Sequence, residues 1–360
     1  MVTLVIFITD RASATPLTEG WIAFHSYTSY TSIDGVISVF NLKTNTHYEF
    51  AELTIANGVQ HAMNPKFSSD GSQLVFMGLP KSSTPYDDSW PNYLDIFLYD
   101  FHTDKLTNLS EKAGMSYEGD VEEDPDFSPD GQKVIFKKNR SDLWTIDLGT
   151  YGLSQVTYDG VEKEESGPRY SPDGQWIAYW ISSGSNADIY RIPAGGGSSE
   201  AIVSNENIQD MYPAYLASDY LLYSRWREGF VDDDIYVVNL SQNPYSHTSA
   251  LFNSDSDDSD PFAIGGSLVG FSSNRSGGKG GWDLFYGNLY SNELYYLEIA
   301  STTKHDLGGT FTPYLSTTIP EPSTILMLST GLVGIAGYAV IKSHRKRRNS
   351  LRNSESLFPL

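Results

Sequence analysis

Short apolar segments recur along the chain in two patterns, and both predict strands. In the first pattern an acidic residue opens a run in which apolar and polar positions alternate with period two, as in a strand with two different faces. These runs are rich in β-branched and aromatic residues, which suit a pleated sheet. They are Asp95–Tyr99, Asp142–Ile146, Asp188–Ile192, Asp234–Val238 and Asp283–Tyr286, with Val36–Phe40 in the same place near the start of the chain. The sequence therefore predicts an all-β fold.

The second pattern is a phrase of proline, one variable residue, an aromatic residue and then Ser-Pro-Asp-Gly, followed by an apolar run. It occurs at Pro125–Gly131 and Pro168–Gly174 and, with Ser69 replacing the second proline, at Pro65–Gly71. Looser copies extend the series, whose anchor prolines are Pro65, Pro125, Pro168, Pro213, Pro261 and Pro313. Units of roughly 40–45 residues with four short strands have the period of propeller blades. The spacing predicts a six-bladed β-propeller with four-stranded antiparallel blades.

The last copy of the phrase has no strand after it, and an unpaired strand opens the chain. Thr312–Ser316 ends the series, while Gly20–Phe24 has the pattern of the missing strand. A propeller that does not close leaves exposed sheet edges. Residues 20–24 and 311–316 are therefore predicted to pair, so that one blade is completed by both chain ends.

The polar residues of the repeat are interpreted as structural. Proline, Asp and Gly suit successive positions of a tight turn, so Ser-Pro-Asp-Gly predicts the hairpin between the first and second strands rather than a catalytic group. The Asp before each third strand is expected to bond to a loop backbone, because a role repeated in five units is a structural one. The aromatic residues of the phrase are expected to pack between blades; they are Phe67, Phe127, Tyr170 and Tyr215.

The phrase, with the Asp-Ile-Tyr strand that follows it, resembles the TolB-type β-propeller repeat. Ser272–Gly277 also resembles that family's loop after the second strand. The resemblance covers residues 20–316 and assigns a propeller domain to residues 20–318. Members of that family are mostly binding scaffolds, although the blade also accompanies peptidase and lyase chemistry. The resemblance thus implies a shape rather than a reaction.

An apolar segment near the C-terminus, Thr324–Ile341, is followed at once by a basic cluster. As a helix it would span about 27 Å, close to the thickness of a hydrocarbon core, so a transmembrane helix is predicted there. Basic residues directly after a membrane helix stay cytoplasmic, which places the propeller outside the inner membrane and makes residues 349–360 a cytoplasmic tail.

With the Pro-Glu-Pro that precedes it, this arrangement over residues 319–348 resembles the PEP-CTERM sorting signal of Gram-negative bacteria. The residues that carry the resemblance are Pro320, Glu321, Pro322, Arg345, Lys346, Arg347 and Arg348. It implies an exosortase as partner, a transient stay in the inner membrane, and delivery to the cell surface or an exopolysaccharide matrix. The tail at 349–360 is longer than is usual in that family.

Residues 1–19 are interpreted as a signal peptide shortened at its start. An apolar run at Val2–Ile8 precedes Ala12-Ser13-Ala14, which has the small residues of a cleavage site, but the basic residues that open such peptides are missing. The alternative is a plain first strand.

The formal net charge of −21 argues against nucleic acid as a partner, because the surface would repel phosphates. The chain has no cysteine, which excludes a disulfide scaffold, thiolate catalysis and a zinc–thiolate site.

Aromatic residues beside carboxylates on the loops between second and third strands favour ligand binding there, with plain solvated loops as the alternative. The ligand-binding candidates are Tyr86, Trp90, Tyr93, Trp226, Phe230, Trp282 and Arg275. An acidic run offers the oxygen ligands that Ca²⁺ prefers, although it lacks the Gly and Glu of an EF-hand loop. Its candidate Ca²⁺ ligands are Asp255, Asp257, Asp258 and Asp260.

The leading hypothesis is a non-catalytic propeller at the cell surface or in the matrix that binds a glycan, peptide or protein partner. One alternative is an enzyme that resembles oligogalacturonate lyases, for which only His61 and His305 lie near blade starts. Another is a periplasmic interaction module that stays tethered to the inner membrane. The sequence contains none of the common hydrolase, zinc-protease or P-loop motifs.

Overall fold

The computed structural model of the protein describes residues 17–29, 32–49, 56–80, 94–115, 120–158, 163–227, 232–298 and 302–313. These residues form strands almost throughout, with one short helix, α1 (Leu109–Lys112), capped by Asn108. The strands are β1 (Trp21–Tyr27), β2 (Val36–Asn41), β3 (Thr46–Glu49), β4 (Val59–Phe67), β5 (Gln73–Pro80), β6 (Asp95–Asp100), β7 (Lys105–Asn108), β8 (Glu122–Phe127), β9 (Lys133–Lys138), β10 (Asp142–Asp147), β11 (Leu153–Gln155), β12 (Glu164–Tyr170), β13 (Trp176–Ser183), β14 (Asn186–Pro193), β15 (Glu200–Val203), β16 (Ile208–Ala217), β17 (Tyr220–Arg227), β18 (Asp233–Asn239), β19 (Ser246–Ser249), β20 (Asp258–Gly265), β21 (Leu268–Ser273), β22 (Asp283–Asn288), β23 (Leu294–Tyr296) and β24 (His305–Thr312). The prediction of an all-β fold is confirmed.

Within the described residues the strands make four four-stranded sheets and one eight-stranded sheet. The four-stranded sheets are β24-β1-β2-β3, β4 to β7, β8 to β11 and β20 to β23. The larger sheet consists of β12 to β15 and β16 to β19, which meet at a single parallel bridge between Ala187 and Gln209. All other neighbouring strands in these sheets are antiparallel, as a propeller-type fold requires.

The two ends of the described chain share one sheet, so the predicted pairing is confirmed. Trp21 lies opposite Thr312, Ile22 opposite Phe311 and Tyr27 opposite His305 in an antiparallel ladder. The strand from the C-terminal end is His305–Thr312, however, so it overlaps the segment predicted at 311–316 only at residues 311 and 312.

A bulge near the middle of each first strand explains this difference. The residue before each anchor proline has a left-handed φ between +50° and +57°, and the strand register shifts there; these residues are Asn64, Asp124, Gly167, Tyr212 and Asp260. In β24 the same conformation, with φ +65°, is at Gly308. The prediction that Pro313 anchors the last copy is therefore wrong, because Gly309 holds that position. A bulge of this kind bends the strand and increases its twist.

The Ser-Pro-Asp-Gly segments form the predicted hairpin turns. In Pro125–Gly131 the Ser128 hydroxyl donates to Asp130 Oδ1 at 2.6 Å, and the same oxygen accepts the backbone N–H of Gln132 at 3.0 Å. The other two close copies repeat these bonds at Asp70 and Asp173. Each turn closes on a glycine with φ between +67° and +71°. The carboxylate is thus used to hold the turn.

The third-strand Asp residues are also structural. Asp188 accepts the backbone N–H of Asn205 at 3.1 Å, and Asp283 accepts those of Lys279 and Gly280, as predicted. Asp95 and Asp142 accept side-chain amides of the neighbouring outer strand instead, from Asn108 and Gln155.

Replacing Gly131 with alanine is expected to lower the free energy of unfolding by about 1–2 kcal/mol, because an L-residue with a Cβ is strained at its φ of +68°. A Cβ there would meet nothing within 4 Å, so the cost is conformational rather than steric. The matched control is Gly195→Ala. A Cβ at Gly195 would also meet nothing within 4 Å, but the backbone there does not have a positive φ. Urea unfolding measures both, and equal costs would contradict the explanation.

The hydrophobic core lies in layers between the sheets. Phe127 shares a core cluster with Val75 and Ile96 of the preceding sheet, Tyr170 with Ile135 of the preceding sheet, and Tyr215 with Ala178 of the preceding unit in the eight-stranded sheet. These three aromatic residues join consecutive units, as predicted, whereas the Phe67 ring contacts Phe101 within its own unit. Among the described residues no helix is long and apolar enough to cross a membrane, and the predicted segment at 324–341 lies outside them.

Candidate functional site

The first strands of the sheets surround a common cavity of about 250 Å³, which we call the loop-side cavity. Residues from β4, β8, β12, β16, β20 and β24 line it, and they include all the left-handed bulge residues. A second cavity of about 210 Å³, the turn-side cavity, includes Pro172 of a Ser-Pro-Asp-Gly turn. The two cavities share Lys66, Arg169, Pro261 and Gly309, which we call the throat.

The variable residue of the repeated phrase supplies the wall of the turn-side cavity. It comes two positions after the bulge residue in each first strand, so the bulge presents the same position six times. These residues are Lys66, Asp126, Arg169, Ala214, Phe262 and Thr310, and all of them line the turn-side cavity. Consecutive close copies thus supply a cation, an anion and a cation, while the remaining copies supply small or apolar side chains. The wall is charged on one side only.

Burial shifts the protonation equilibria at the throat. Burial and, to a smaller extent, the nearby Arg169 guanidinium lower the pKa of Lys66 to about 7 against the opposing effect of three carboxylates. Burial raises the pKa of Asp260 to about 6, although Lys66 and Arg169 oppose the shift. The pKa of Asp126 is raised for the same reason. Lys66 in the throat and Asp260 beside it therefore have pKa values closer to neutrality than an ordinary lysine or aspartate.

Carboxylates next to the throat tie neighbouring first strands together. Asp124 accepts the side-chain amide of Asn64 at 2.7 Å and the backbone N–H of Gly167 at 3.2 Å, which links β4, β8 and β12. Asp126 accepts the backbone N–H of Tyr170 at 3.0 Å. These bonds fix the positions of the charged groups around the cavity.

Lys137 reaches the loop-side cavity from β9 and is held there by two carboxylates. Its Nζ lies 2.8 Å from Glu123 and 3.0 Å from Glu164, and it donates to the Ser166 hydroxyl at 3.2 Å. The Lys137 and Glu123 side chains are only 6% and 8% exposed. Although burial alone would lower the pKa of Lys137, the surrounding carboxylates raise it, so this lysine remains charged.

Aromatic rings form another part of the loop-side wall. Trp180 and Tyr212 meet edge to face with 6.1 Å between ring centroids. Gly167 leaves room for the indole, because a Cβ there would lie 3.0 Å from Trp180 Nε1. That Nε1–H is buried and has no acceptor among the described residues, which is a costly arrangement for a donor.

Two neutral histidines complete the loop-side wall. Burial, with smaller contributions from the neighbouring His61 and Lys66, lowers the pKa of His25 to about 3, and burial lowers that of His61 to about 4. Their Nδ1 atoms accept backbone N–H groups, from Asn64 at 3.3 Å and from Gly35 at 3.0 Å. Both rings therefore act as neutral hydrogen-bonding groups at physiological pH.

Of the ligand-binding residues predicted from the sequence, the three that the structure describes line neither cavity. Tyr86, Trp90, Tyr93 and Phe230 lie outside the described residues. The half-buried Trp226 and Trp282 line neither cavity. Arg275 makes two hydrogen bonds of 2.6 Å to Asp258 and stacks on Phe271 and Phe285, so its guanidinium is already engaged.

The structure separates the candidate Ca²⁺ ligands. Asp258 is fully buried and pairs with Arg275, whereas Asp260 lines the loop-side cavity. Asp257 accepts the side-chain amide of Asn274 at 2.5 Å. Among the described parts of the chain no three His, Asp or Glu side chains are placed to hold a metal ion, so Asp255 and its neighbours do not form such a group.

Comparison with known proteins identifies the repeat. Residues 51–280 match the TolB beta propeller domain family. The Tol-Pal system protein TolB of Anaeromyxobacter dehalogenans is 27% identical over 94 residues, which are 25% of this chain and 21% of that protein. The curated relatives that the chain matches are aligned over only 10% to 27% of their own length.

Solved structures agree on the fold. The hydrazine synthase of Kuenenia stuttgartiensis superposes with a TM-score of 0.58 at 13% identity, over 81% of this chain and 46% of that one. A chain of a nidogen/laminin complex gives 0.55 at 11% identity, over 82% of this chain and 100% of that one. At such identities the likeness concerns the fold alone. Because the family match covers well over half of the residues, this chain belongs to the TolB beta propeller domain family.

Proposed function

We propose that the chain is a six-bladed propeller that acts as an exported binding scaffold, with a polar ligand seated in the loop-side cavity. The eight-stranded sheet supplies two of the six blades in this interpretation, since a single bridge joins its halves. The observation that carries the proposal is the cavity itself, where bulges in the first strands bring charged, amide and aromatic side chains to one place.

The lining favours a ligand that is polar but uncharged. Cations at Lys137 and Arg169 share the cavity with carboxylates such as Glu123, Asp124 and Glu164, so a charged ligand would lose as much from one set as it gains from the other. Donors and acceptors that alternate around a cavity suit hydroxyl groups, and Trp180 and Tyr212 offer rings on which a sugar can pack. A neutral glycan end fits this chemistry.

The test is calorimetric titration of neutral oligosaccharides, chosen on a glycan array, with Trp180→Phe as the sharpest variant. Phenylalanine keeps a ring but removes the buried Nε1–H, so affinity should fall about ten-fold if the ligand supplies the missing acceptor. Trp226→Phe, whose indole is outside both cavities, should leave affinity unchanged. Equal loss in both variants, or turnover of a polyuronide that His61→Ala abolishes, would overturn the proposal.

Export and surface sorting form the second half of the proposal. The support is the resemblance of residues 319–348 to an exosortase signal, with Pro320, Glu321 and Pro322 followed by an apolar segment and arginines. Cell fractionation with mass spectrometry of the mature C-terminus should give a chain shortened near Pro322, at the surface or in the matrix. A full-length chain ending at Leu360 in the inner membrane would instead support a periplasmic tethered module.

A further inference from the structure

Lys66 occupies an unusual position, because its side chain lines both cavities at the throat. Its Nζ donates one hydrogen bond, of 3.2 Å, to the carbonyl oxygen of Gly309. No ion pair within 4 Å is found for it in the part of the chain that the structure describes. A protonated lysine has three N–H donors, so the observed bond leaves the Lys66 ammonium poorly stabilised.

The ammonium of the other lysine in the loop-side cavity, Lys137, is stabilised by several partners. Lys137 is bound to Glu123 at 2.8 Å, to Glu164 at 3.0 Å and to a hydroxyl. Its nitrogen lone pair is therefore unavailable at neutral pH. The two lysines share a cavity but differ in the number of groups that bind their amines.

The charged groups that face Lys66 come from several strands. Arg169 on β12 repels an ammonium, whereas Asp124 and Asp126 on β8 and Asp260 on β20 attract it. His25 on β1 faces it as a neutral ring. The burial of Lys66 outweighs the carboxylates and lowers its pKa to about 7, so neutral amine is present at neutral pH. Desolvation beside another cation is the usual way to activate a lysine nucleophile.

We propose that Lys66 is a covalent capture site for small aldehydes, which reach its amine through either cavity and form an imine there. The Lys66 nitrogen lone pair attacks the carbonyl carbon, and one N–H proton passes to the carbonyl oxygen. The resulting carbinolamine then loses its hydroxyl group and the second N–H proton as one water. The linkage needs no oxidant or reductant and reverses on hydrolysis. The proposal does not depend on the glycan proposed above, although both use the loop-side cavity, since it requires only an aldehyde that fits a cavity of about 250 Å³.

The test is reductive trapping on the full chain with glycolaldehyde and cyanoborohydride, which reduces the imine to a stable amine. Peptide mass spectrometry then gives the labelling rate of each lysine over a pH series through neutrality. A lysine with an ordinary pKa of about 10.4 is neutral in only about one molecule in 2,500 at pH 7. Lys66 should therefore label about ten-fold or more faster than Lys43, which is 71% exposed, with a half-maximal rate near pH 7.

Two further measurements separate this site from general surface chemistry. Unfolding the chain in urea should abolish the advantage of Lys66, because the throat no longer exists. Arg169→Gln should move the half-maximal pH of Lys66 upward, because a repelling cation is removed, while Lys43 is unchanged. If the native chain labels Lys66 no faster than Lys43 at pH 7, or with the same pH curve, the proposal fails whatever the variant does.

Discussion

Replacing Lys137 with methionine is expected to lower the free energy of unfolding by about 3–5 kcal/mol, the usual cost of removing one partner of a buried ion pair. Methionine matches the lysine stem in length, so packing is largely kept. The loss arises because Glu123, with a side chain only 8% exposed, is left buried without the ammonium 2.8 Å away. Glu164 and Ser166 lose a partner as well. Urea unfolding followed by tryptophan fluorescence measures the change.

The control is a lysine whose ion pair is exposed. Lys43 lies 3.5 Å from Glu19 with both side chains more than 70% exposed, so Lys43→Met should change stability by less than about 1 kcal/mol. Adding Glu123→Gln to Lys137→Met should recover part of the loss, because the uncompensated charge is then gone. If Lys137→Met costs no more than Lys43→Met, the ion pair does not stabilise the interior in the way described.

The repeat predicted most of the fold because its residues act locally. Ser128, Asp130 and Gly131 form a turn through bonds among themselves, so the short phrase is sufficient to locate it. The apolar runs that follow alternate in the way that a two-faced strand needs. The last copy was misplaced at Pro313 because it lacks the proline of the phrase. The feature that all the copies share is a residue with a left-handed φ in the first strand. In the last copy this residue is Gly308, which is not followed by the proline that marks the position in the other copies.

The cavity was missed for a different reason. The turn-side cavity is assembled from residues of six separate first strands, and within each copy of the phrase the residue concerned is the variable one. The sequence did hold a signal, since the close copies place Lys66, Asp126 and Arg169 at that position, with alternating charge. The sequence held no such signal for Trp180 of the loop-side cavity, because the room for its indole depends on Gly167 of a paired strand. Such groups become a site only after the sheets have closed.

Ending the chain at Lys304 is expected to abolish cooperative unfolding, which is the largest effect that the structure predicts. The shortened chain lacks β24 and leaves β1 with an unpaired edge along residues 21–27. It also loses Phe311, which packs with the core cluster around Ile22 and Phe262, and the hydrogen bond from Ser26 to Asp306. Circular dichroism during thermal unfolding, with hydrogen exchange of β1, measures the result.

The matched comparison is a chain that ends at Pro313 and so keeps β24. It should retain a cooperative transition, and β1 amides should remain protected from exchange, because their partners at residues 305–312 are present. The difference between the two shortened chains is therefore due to the closing strand and not to the residues beyond it. A chain ending at Lys304 that unfolds cooperatively near the full-length temperature would show that β1 does not depend on β24. The sheet shared by both chain ends would then be a consequence of the fold and not a condition for it.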